Sequence, residues 1–330
     1  MTINNTNNVS IAKYYPLPQK VNSDKLITLL KKQENQHTLI SNVYDETVKF
    51  LNDNDIFPTE VFIPEKPPVR ILTINNVALF IVEDYTKFNT NMLPKKYVEN
   101  LHFAWVKKNF RVIWIKKFEW EDLRKRNVLQ SLILHACKKT KNRVFARNTY
   151  AEIIPSKDLR EFFNLSSFYG YRNASFAVCL KDKKTNEILM AMNFGHPYYG
   201  KNKYGGAAVE CIRAASKPFT IIVGGMSKLM KFMIDNFGST FKTVIYYIDS
   251  SHYNSGSMGA VGFKYSHFAG GASHNVWLKT GSMFMRTPAL HQEIMFLMKQ
   301  NEIIAIPDVG NETFIFTPDS QIGNASSTDI

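Results

Sequence analysis

Two adjacent glycines stand where an apolar, strand-like segment becomes an amphipathic helix. The run reads Val223-Gly224-Gly225-Met226-Ser227-Lys228-Leu229. Backbone N–H groups at such a helix start can receive a phosphate, and the helix dipole and a nearby lysine add positive charge. The alternative is a tight strand-to-helix turn that needs a positive φ and nothing more. If the turn holds a cofactor, we expect its contacts to be Gly224, Gly225, Ser227 and Lys228.

Positive charge is concentrated in one stretch of the chain. The protein has a formal net charge of +13, and the stretch from Lys95 to Arg147 holds 15 Lys and Arg against 4 Asp and Glu. Such clustering is typical of proteins that bind the phosphate backbone of DNA, although heavy lysine usage across a genome would also raise the charge. Aromatic residues interleave with the basic ones, which suits base stacking, or they face the core of an alternating strand. The predicted DNA contacts are Lys107, Lys108, Arg111, Lys116 and Lys117.

The composition indicates an ordinary globular protein. A chain of 330 residues with 45% hydrophobic residues can bury two cores, which argues against overall disorder. Its three cysteines are scattered and odd in number, which is typical of reduced thiols. The N-terminus is polar, and no apolar run approaches the length of a membrane span. We therefore expect a soluble, cytoplasmic protein.

The hydrophobic pattern predicts a polar N-terminal arm, a helical lead-in and then a small mixed α/β unit. The helices of the lead-in open at Ser23 and Ser41. The order of the following elements is typical of a compact mixed domain. Strands are predicted over residues 60–63, 69–74, 77–82 and 111–118, and helices over 97–105 and 123–139.

A second unit follows from about residue 147. Its predicted strands cover residues 175–180, 188–194, 208–213, 219–223 and 242–248, with a helix over 227–237 between the last two. A helix at 288–300 and a hairpin at 303–316 are predicted as an appendage, and residues 318–330 as a disordered tail.

The order and spacing of these pieces over residues 147–279 resemble the acetyltransferase-like (GNAT) fold. A closer resemblance is to the C-terminal domain of phage homing endonucleases, which is itself similar to the phage DNA-modification protein Mom. The matching residues are Gly170-Tyr171, Arg213 in the central strand, Gly224 to Leu229, and Asp249 after the next strand. The resemblance implies acetyl-CoA or another acyl donor as cofactor, with Arg213 and Asp249 as catalytic residues. Asp249 has an alternative role as the cap of a turn.

The chain departs from this family at two places. Ser167 stands where the family has a histidine, and Asn275-Val276-Trp277 replaces Asn-Tyr-Trp. Serine cannot replace imidazole as a metal ligand, so we do not expect a metal-dependent reaction of the Mom type. The histidines of this half, His252 among them, are not at ligand spacing and are expected at the surface or hydrogen-bonded in the core.

The N-terminal half resembles the very-short-patch-repair-like (Vsr-like) nucleases, a mixed α/β class related to the PD-(D/E)XK fold. The segments Glu60 to Glu65, Phe118 to Asp122 and Arg143 to Arg147 follow the family's order. In such nucleases acidic residues on adjacent strands hold a divalent metal, and a histidine or lysine assists the attacking water. The resemblance implies Glu60, Glu83 and Asp84 as Mg²⁺ ligands with His102 beside them. The family's Glu-Asn-Gly and Trp-His segment is missing, which favours a degenerate nuclease domain kept for DNA contact.

Together these observations predict an α+β (mixed α/β) protein with four parts. They are an arm and helical lead-in (1–55), a basic Vsr-like domain (56–146), a GNAT-like or Mom-like domain (147–281), and an appendage with a tail (282–330). The predicted function is that of a bacteriophage DNA-interacting protein of the host cytoplasm, with Mg²⁺-dependent cleavage if acidic residues converge beside His102. An open cleft at Gly224–Lys228 would favour an acyltransferase that modifies DNA bases. If neither feature is present, a catalytically silent DNA-binding or virion-associated protein is favoured. The oligomeric state stays open.

Overall fold

The structure is a computed structural model that describes residues 42–61, 69–83, 95–197, 208–270, 273–277, 283–284, 296–300 and 302–318. The predicted arm, the helix at Ser23, the metal ligand Asp84 and nearly all of the tail lie outside the described residues. Over the described part the fold is mixed α/β, as predicted. None of the helices described there is both long and apolar enough to cross a membrane.

The N-terminal unit is built on a sheet in the order β1-β2-β3-β4. In chain order its elements are α1 (Val43–Asn52), β1 (Thr59–Val61), β2 (Val69–Ile74), β3 (Val77–Val82), α2 (Lys95–Val106), β4 (Arg111–Lys116), α3 (Lys117–Glu121) and α4 (Leu123–Ala136). β2 and β3 form a hairpin, whose turn places Asn75 at φ 51°, a conformation that asparagine tolerates. β3 and β4 are parallel, so the chain crosses over between them and α2 lies in that crossover.

Both faces of this sheet are covered, which explains why every residue of β3 is buried. Alternate residues of a strand point to opposite faces. Leu79 and Ile81 pack with the apolar sides of α1 and α4, while Phe80 packs with Trp114 on the other face. The helix predicted at Ser41 is therefore part of this core and not a lead-in to it.

The C-terminal unit contains a larger mixed sheet in the order β12-β16-β11-β9-β8-β7-β6. β9 and β11 are parallel, and the helix α6 between them packs Leu229, Met230 and Met233 into the core of this unit. The elements of the second half are β5 (Asn142–Phe145), β6 (Thr149–Ile154), α5 (Arg160–Ser166), β7 (Phe176–Asp182), β8 (Ile188–Gly195), β9 (Ala208–Ser216), β10 (Thr220–Val223), α6 (Gly225–Phe237), β11 (Thr243–Asp249), β12 (Lys264–Gly270), β13 (Ser273–Trp277), β14 (Met283–Phe284), β15 (Ile303–Pro307) and β16 (Gly310–Phe316).

The two units are joined by a short parallel strand pair. β10, which leads into α6, pairs with β5 from Thr220 opposite Asn142 to Val223 opposite Phe145. The strand predicted at 219–223 therefore exists, but it is half-buried and lies outside the large sheet. The start of α6 is fixed by the segment that connects the units.

The predicted appendage needs correction, because its two strands do not pair as a hairpin but join different sheets, β15 beside β13 and β16 in the large sheet. β16 lies between β11 and β12 in the large sheet. Ile304 and Ile306 of β15 pack against the N-terminal sheet, in the same cluster as Phe80 and Trp114. The apolar runs within residues 303–316 predicted two strands correctly, but a local run does not indicate which sheet a strand joins.

Candidate functional site

The end of β11 holds a buried carboxylate surrounded by hydrogen-bond donors. Oδ2 of Asp249 lies 2.7 Å from the hydroxyl of Tyr169 and 2.6 Å from Nδ1 of His252. Its Oδ1 accepts the backbone N–H of Ser251 at 2.8 Å. Asp249 therefore caps the turn after β11, as the alternative prediction had it, and also binds two side chains.

The same cluster continues into the N-terminal unit. Nε2 of His252 lies 3.4 Å from Oε2 of Glu119, which also accepts the backbone N–H of Lys116 at 3.0 Å. Nζ of Lys116 lies 2.9 Å from Oδ1 of Asp308. Four segments that are distant in sequence, the one with Tyr169 included, thus meet in one buried group of polar side chains. We call it the interface cluster; its members are Lys116, Glu119, Tyr169, Asp249, His252 and Asp308.

The interface cluster pairs two cationic side chains, Lys116 and His252, with three carboxylates. Burial alone would lower the pKa of His252, but the charges of Asp249 and Glu119 outweigh it and raise that pKa to about 9. Burial likewise lowers the pKa of Lys116, yet Asp308 and Glu119 bring it above its ordinary value. The imidazolium and the ammonium are therefore both charged at neutral pH. Because each is hydrogen-bonded to a carboxylate, the charges can stay buried.

Arg213, predicted from the family resemblance, lies next to this cluster. Its Nε donates to the backbone carbonyl of Gly170 at 2.8 Å, and its Nη1 to that of Ile212 at 2.7 Å. The guanidinium carbon lies 5.8 Å from the ring centroid of Tyr169, whose hydroxyl binds Asp249. The structure thus brings Gly170, Arg213 and Asp249 together around Tyr169.

The central parallel strands separate toward their C-terminal ends. β9 and β11 pair from Ala208 opposite Thr243 to Cys211 opposite Tyr246, and the pairing stops there. The register between β8 and β9 shifts at the same point, which leaves Ile212 as an extra, bulged residue. Ligands of α/β sheets often bind where the carboxyl ends of parallel strands diverge.

The predicted glycine turn lies at this edge of the sheet. Gly224 has φ 77° and is exposed, and α6 has no side-chain cap for the N–H groups of its first turn. A Cβ on Gly225 would lie 2.7 Å from Cγ2 of Ile222 and 3.0 Å from Sδ of Met190. Met190 pairs with the last residue of β9, so α6 begins where β9 ends.

The other two predicted cofactor contacts, Ser227 and Lys228, have different surroundings. Ser227 is exposed in the first turn of α6. The ammonium of Lys228 instead donates to the backbone carbonyl of Ala146 at 2.8 Å and to that of Thr149. Lys228 therefore ties α6 to the segment between β5 and β6.

Two of the three predicted metal ligands of the N-terminal half, Glu60 and Glu83, are bound to other partners. Glu60 accepts from the hydroxyl of Tyr44 at 2.9 Å and from Nε of Arg70 at 3.0 Å, and Glu83 accepts the backbone N–H of Tyr44 at 2.9 Å. Tyr44 thus touches both acids. In the part of the chain that the structure describes, no three His, Cys, Asp or Glu residues could together hold a metal ion.

His102 is a core residue. It accepts the indole N–H of Trp114 at 3.3 Å, and burial lowers its pKa to about 4 despite the charges of Asp249 and Asp308. A neutral, buried imidazole that accepts a hydrogen bond from an indole is not placed to assist a water molecule beside Glu60 and Glu83. The structure gives no support to the predicted arrangement of a nuclease site.

The predicted DNA contacts divide into three kinds. Lys107 and Lys108 are exposed after α2, and Lys117 is half-buried, 3.8 Å from Glu121. The prediction for Lys116 was wrong, since its side chain is 1% exposed and paired with acids. Arg111 is partly buried and lines a cavity. Trp114 faces the core, as the alternative for the aromatic residues predicted.

Sequence reasoning missed most of the interface cluster. His252 was expected as a surface or hydrogen-bonded core residue, and the second of these is correct. The spacing of three residues between Asp249 and His252, and between Lys116 and Glu119, was a usable local signal. The contact of His252 with Glu119 spans 133 residues, and no pattern in a single sequence indicates it.

No protein-family model matches this chain, and a search of curated proteins finds no match. Among solved structures, a Bacillus subtilis acetyltransferase in complex with CoA is similar, with a TM-score of 0.32 and 11% identity over 51% of this chain and 98% of that chain. An N-acetyltransferase from Staphylococcus aureus gives 0.30 and 12% over 52% and 99%. A chimera of the spermidine N-acetyltransferase from Vibrio cholerae gives 0.30 and 9% over 54% and 99%. TM-scores this low carry no weight for activity, substrate or cofactor.

Proposed function

We propose that the C-terminal unit binds an acyl-coenzyme A and transfers its acyl group to an amine of a nucleic acid that the basic N-terminal unit binds. The observation that carries the proposal is the separation of β9 from β11 after Cys211 and Tyr246, beside the uncapped start of α6. Unpaired strand backbone and free helix N–H groups then face one region of the molecule. An extended, phosphate-bearing ligand needs both.

The residues at this edge fit such a cofactor. The exposed first turn of α6, with Gly224 and Ser227, offers N–H donors and the positive end of the helix dipole to a pyrophosphate. An acyl-coenzyme A supplies an activated thioester when it is bound. Tyr246 and Tyr253 lie near Arg213, and burial raises the pKa of both phenols. They stay protonated at neutral pH and are the proton donors that we assign to this edge.

The nucleic acid is assigned to the N-terminal unit because of its charge. Lys107 and Lys108 are exposed, as are Lys139, Lys141 and Arg143 beyond α4. Side chains of this kind bind phosphates without reading the sequence. A Mg²⁺-dependent cleavage is not part of the proposal, since the described acids near the N-terminal sheet are bound to Tyr44 and Arg70.

The direct test is an acyl-transfer assay. The full chain is incubated with acetyl-CoA and with single-stranded DNA, duplex DNA or a polyamine, and both free thiol and acceptor mass are measured. We expect thiol release that depends on the acceptor, together with an acceptor whose mass increases by one acetyl group. Thiol release no faster than in buffer with every acceptor, and no change in mass, would contradict the proposal. Added Mg²⁺ with analysis of strand breaks tests cleavage in the same samples.

A further inference from the structure

A second site is indicated by a cavity between the two units. It has a volume of about 470 Å³ and lies beside β10, at the ends of β4 and α4. Its lining contains four side chains that are or can become positively charged and no aspartate or glutamate. The polar residues of this lining on which the argument rests are Arg111, His135, Lys138, Thr140, Arg143 and Asn254.

Arg111 is the residue that sets the chemistry of this cavity. Its Nε is buried without a hydrogen-bond partner among the described residues, and burial lowers the pKa of the guanidinium. Cys137 is the group whose negative charge would raise this pKa. Burial raises the pKa of the Cys137 thiol to about 11, so the thiol is neutral at pH 7 and supplies no charge. Among the residues that the structure describes, Arg111 is therefore a partly buried cation without a counter-charge. A group of this kind costs stability unless an anion binds it.

Two neighbours of Arg111 point to the same ligand. Oγ1 of Thr140 is buried and has no hydrogen-bond partner among the described residues. His135 also lines the cavity, and its pKa is lowered by burial and by the nearby charge of Arg111. Lys138 and Arg143 complete the lining from the loop after α4 and from β5. An oxyanion would satisfy the guanidinium and the hydroxyl at once.

We propose that this cavity binds a phosphate group, held by the guanidinium of Arg111 and the hydroxyl of Thr140 with Lys138 and Arg143 at the rim. Arginine presents a fork of donors that matches two phosphate oxygens, and threonine donates to a third. The phosphate belongs either to a nucleic-acid backbone or to a small phosphoester. The proposal does not rest on acyl transfer, because phosphate binding is measured without an acyl donor.

The test is thermal unfolding of the full chain with increasing inorganic phosphate, at an ionic strength kept constant with chloride. A ligand that binds the folded state raises the melting temperature in a saturable way. We expect such a rise for the wild type, and in Arg111→Met an affinity weaker by about tenfold or more. Lys184→Met removes a positive charge from an exposed position outside the cavity and serves as the matched control. It should bind phosphate like the wild type.

A second readout separates the proposal from a structural role of Arg111. Without phosphate, Arg111→Met and Thr140→Val should melt at a higher temperature than the wild type, because each removes a buried group that lacks a partner. Lower melting temperatures for both variants would overturn the proposal. The proposal would also be overturned if about 10 mM phosphate left the melting temperature unchanged, because this concentration exceeds the dissociation constant of the weakest specific sites.

A short oligonucleotide identifies the source of the phosphate. If a single-stranded DNA of a few nucleotides competes with inorganic phosphate, and Arg111→Met removes the competition, the site takes a backbone phosphodiester. If inorganic phosphate binds and the oligonucleotide does not compete, the site takes a small phosphoester. Both outcomes support a phosphate site. If Arg111→Met and Thr140→Val bind the oligonucleotide as well as the wild type does, the nucleic acid binds elsewhere, and a backbone phosphodiester in this cavity is ruled out.

Discussion

Nδ1 of His252 lies 2.6 Å from Oδ2 of Asp249, and the opposite nitrogen of the same ring faces Glu119 at 3.4 Å. One protonated imidazole thus connects a carboxylate of the C-terminal unit with a carboxylate of the N-terminal unit. The two units therefore depend on each other electrostatically, and a change at either acid affects the contact between them.

Asp249→Asn is expected to lower the free energy of unfolding by about 3–5 kcal/mol, because it leaves a buried imidazolium with one of its two counter-charges. Urea denaturation of the full chain measures the loss. Asp235→Asn is the matched control, since it breaks an exposed pair on α6 with Lys231 and should change stability by less than about 0.5 kcal/mol. Equal effects of the two substitutions would contradict a buried ion pair between His252 and Asp249.

Stability is also expected to fall on the alkaline side because of His252. The pKa of this group is raised from 6.5 in the unfolded chain to about 9 in the folded protein, so the folded state holds the proton more tightly. The contribution is complete below pH 6.5 and is lost as the pH rises through 9, at about 1 kcal/mol per pH unit. Urea midpoints between these pH values should fall steeply in the wild type and much less in His252→Gln. Parallel profiles would exclude a charged His252.

His102 is expected to limit stability on the acid side. Its pKa falls from 6.5 to about 4 on folding, so the unfolded chain binds the proton more readily. The stability that neutral His102 contributes is present above pH 6.5 and is lost as the pH falls through 4. His102→Gln keeps an acceptor for the indole of Trp114 but does not titrate, so its acid profile should be shallower than that of the wild type. A variant profile as steep as the wild type would place the acid transition in the carboxylates alone.

The sequence was sufficient to predict those secondary-structure elements that depend on a local pattern of residues. The hairpin of β2 and β3 was predicted with its observed bounds, because two short apolar runs flank an Asn-Asn turn. Gly170, Arg213 and Asp249, which the sequence analysis singled out, do lie together. Lys116 was misplaced because a lysine in a basic stretch suggests the surface, and the acid that buries it, Asp308, is 192 residues away. Partner choice over such distances depends on the assembled fold.

DNA binding is expected to depend on the exposed lysines of the N-terminal unit. The triple substitution Lys107→Glu, Lys108→Glu and Lys139→Glu, all at exposed positions, should weaken binding and reduce the slope of log K against log salt by roughly one unit for each lost phosphate contact. Fluorescence anisotropy with a labelled oligonucleotide at several salt concentrations gives both quantities. A triple variant in the C-terminal unit with the same charge change should have a clearly smaller effect, and its sites are Lys157, Lys184 and Lys264. Equal losses in the two variants would mean that net charge alone, and not this surface, determines binding.

Calorimetric titration with acetyl-CoA tests the central claim most directly, because it asks whether the edge formed by β9, β11 and the start of α6 binds the cofactor before any acceptor is chosen. We expect saturable heat with the wild type and none with Gly225→Val, whose side chain would collide with Ile222 and Met190. Overpacking of this kind costs about 1–3 kcal/mol, so circular dichroism must show that the variant is folded at the temperature of the titration. Ile234→Ala, on the same helix but outside its first turn, is the control for lost stability and should still bind. The absence of heat from the wild type at millimolar acetyl-CoA, about the weakest affinity of a specific site, would contradict the account and leave the glycine turn with a structural role.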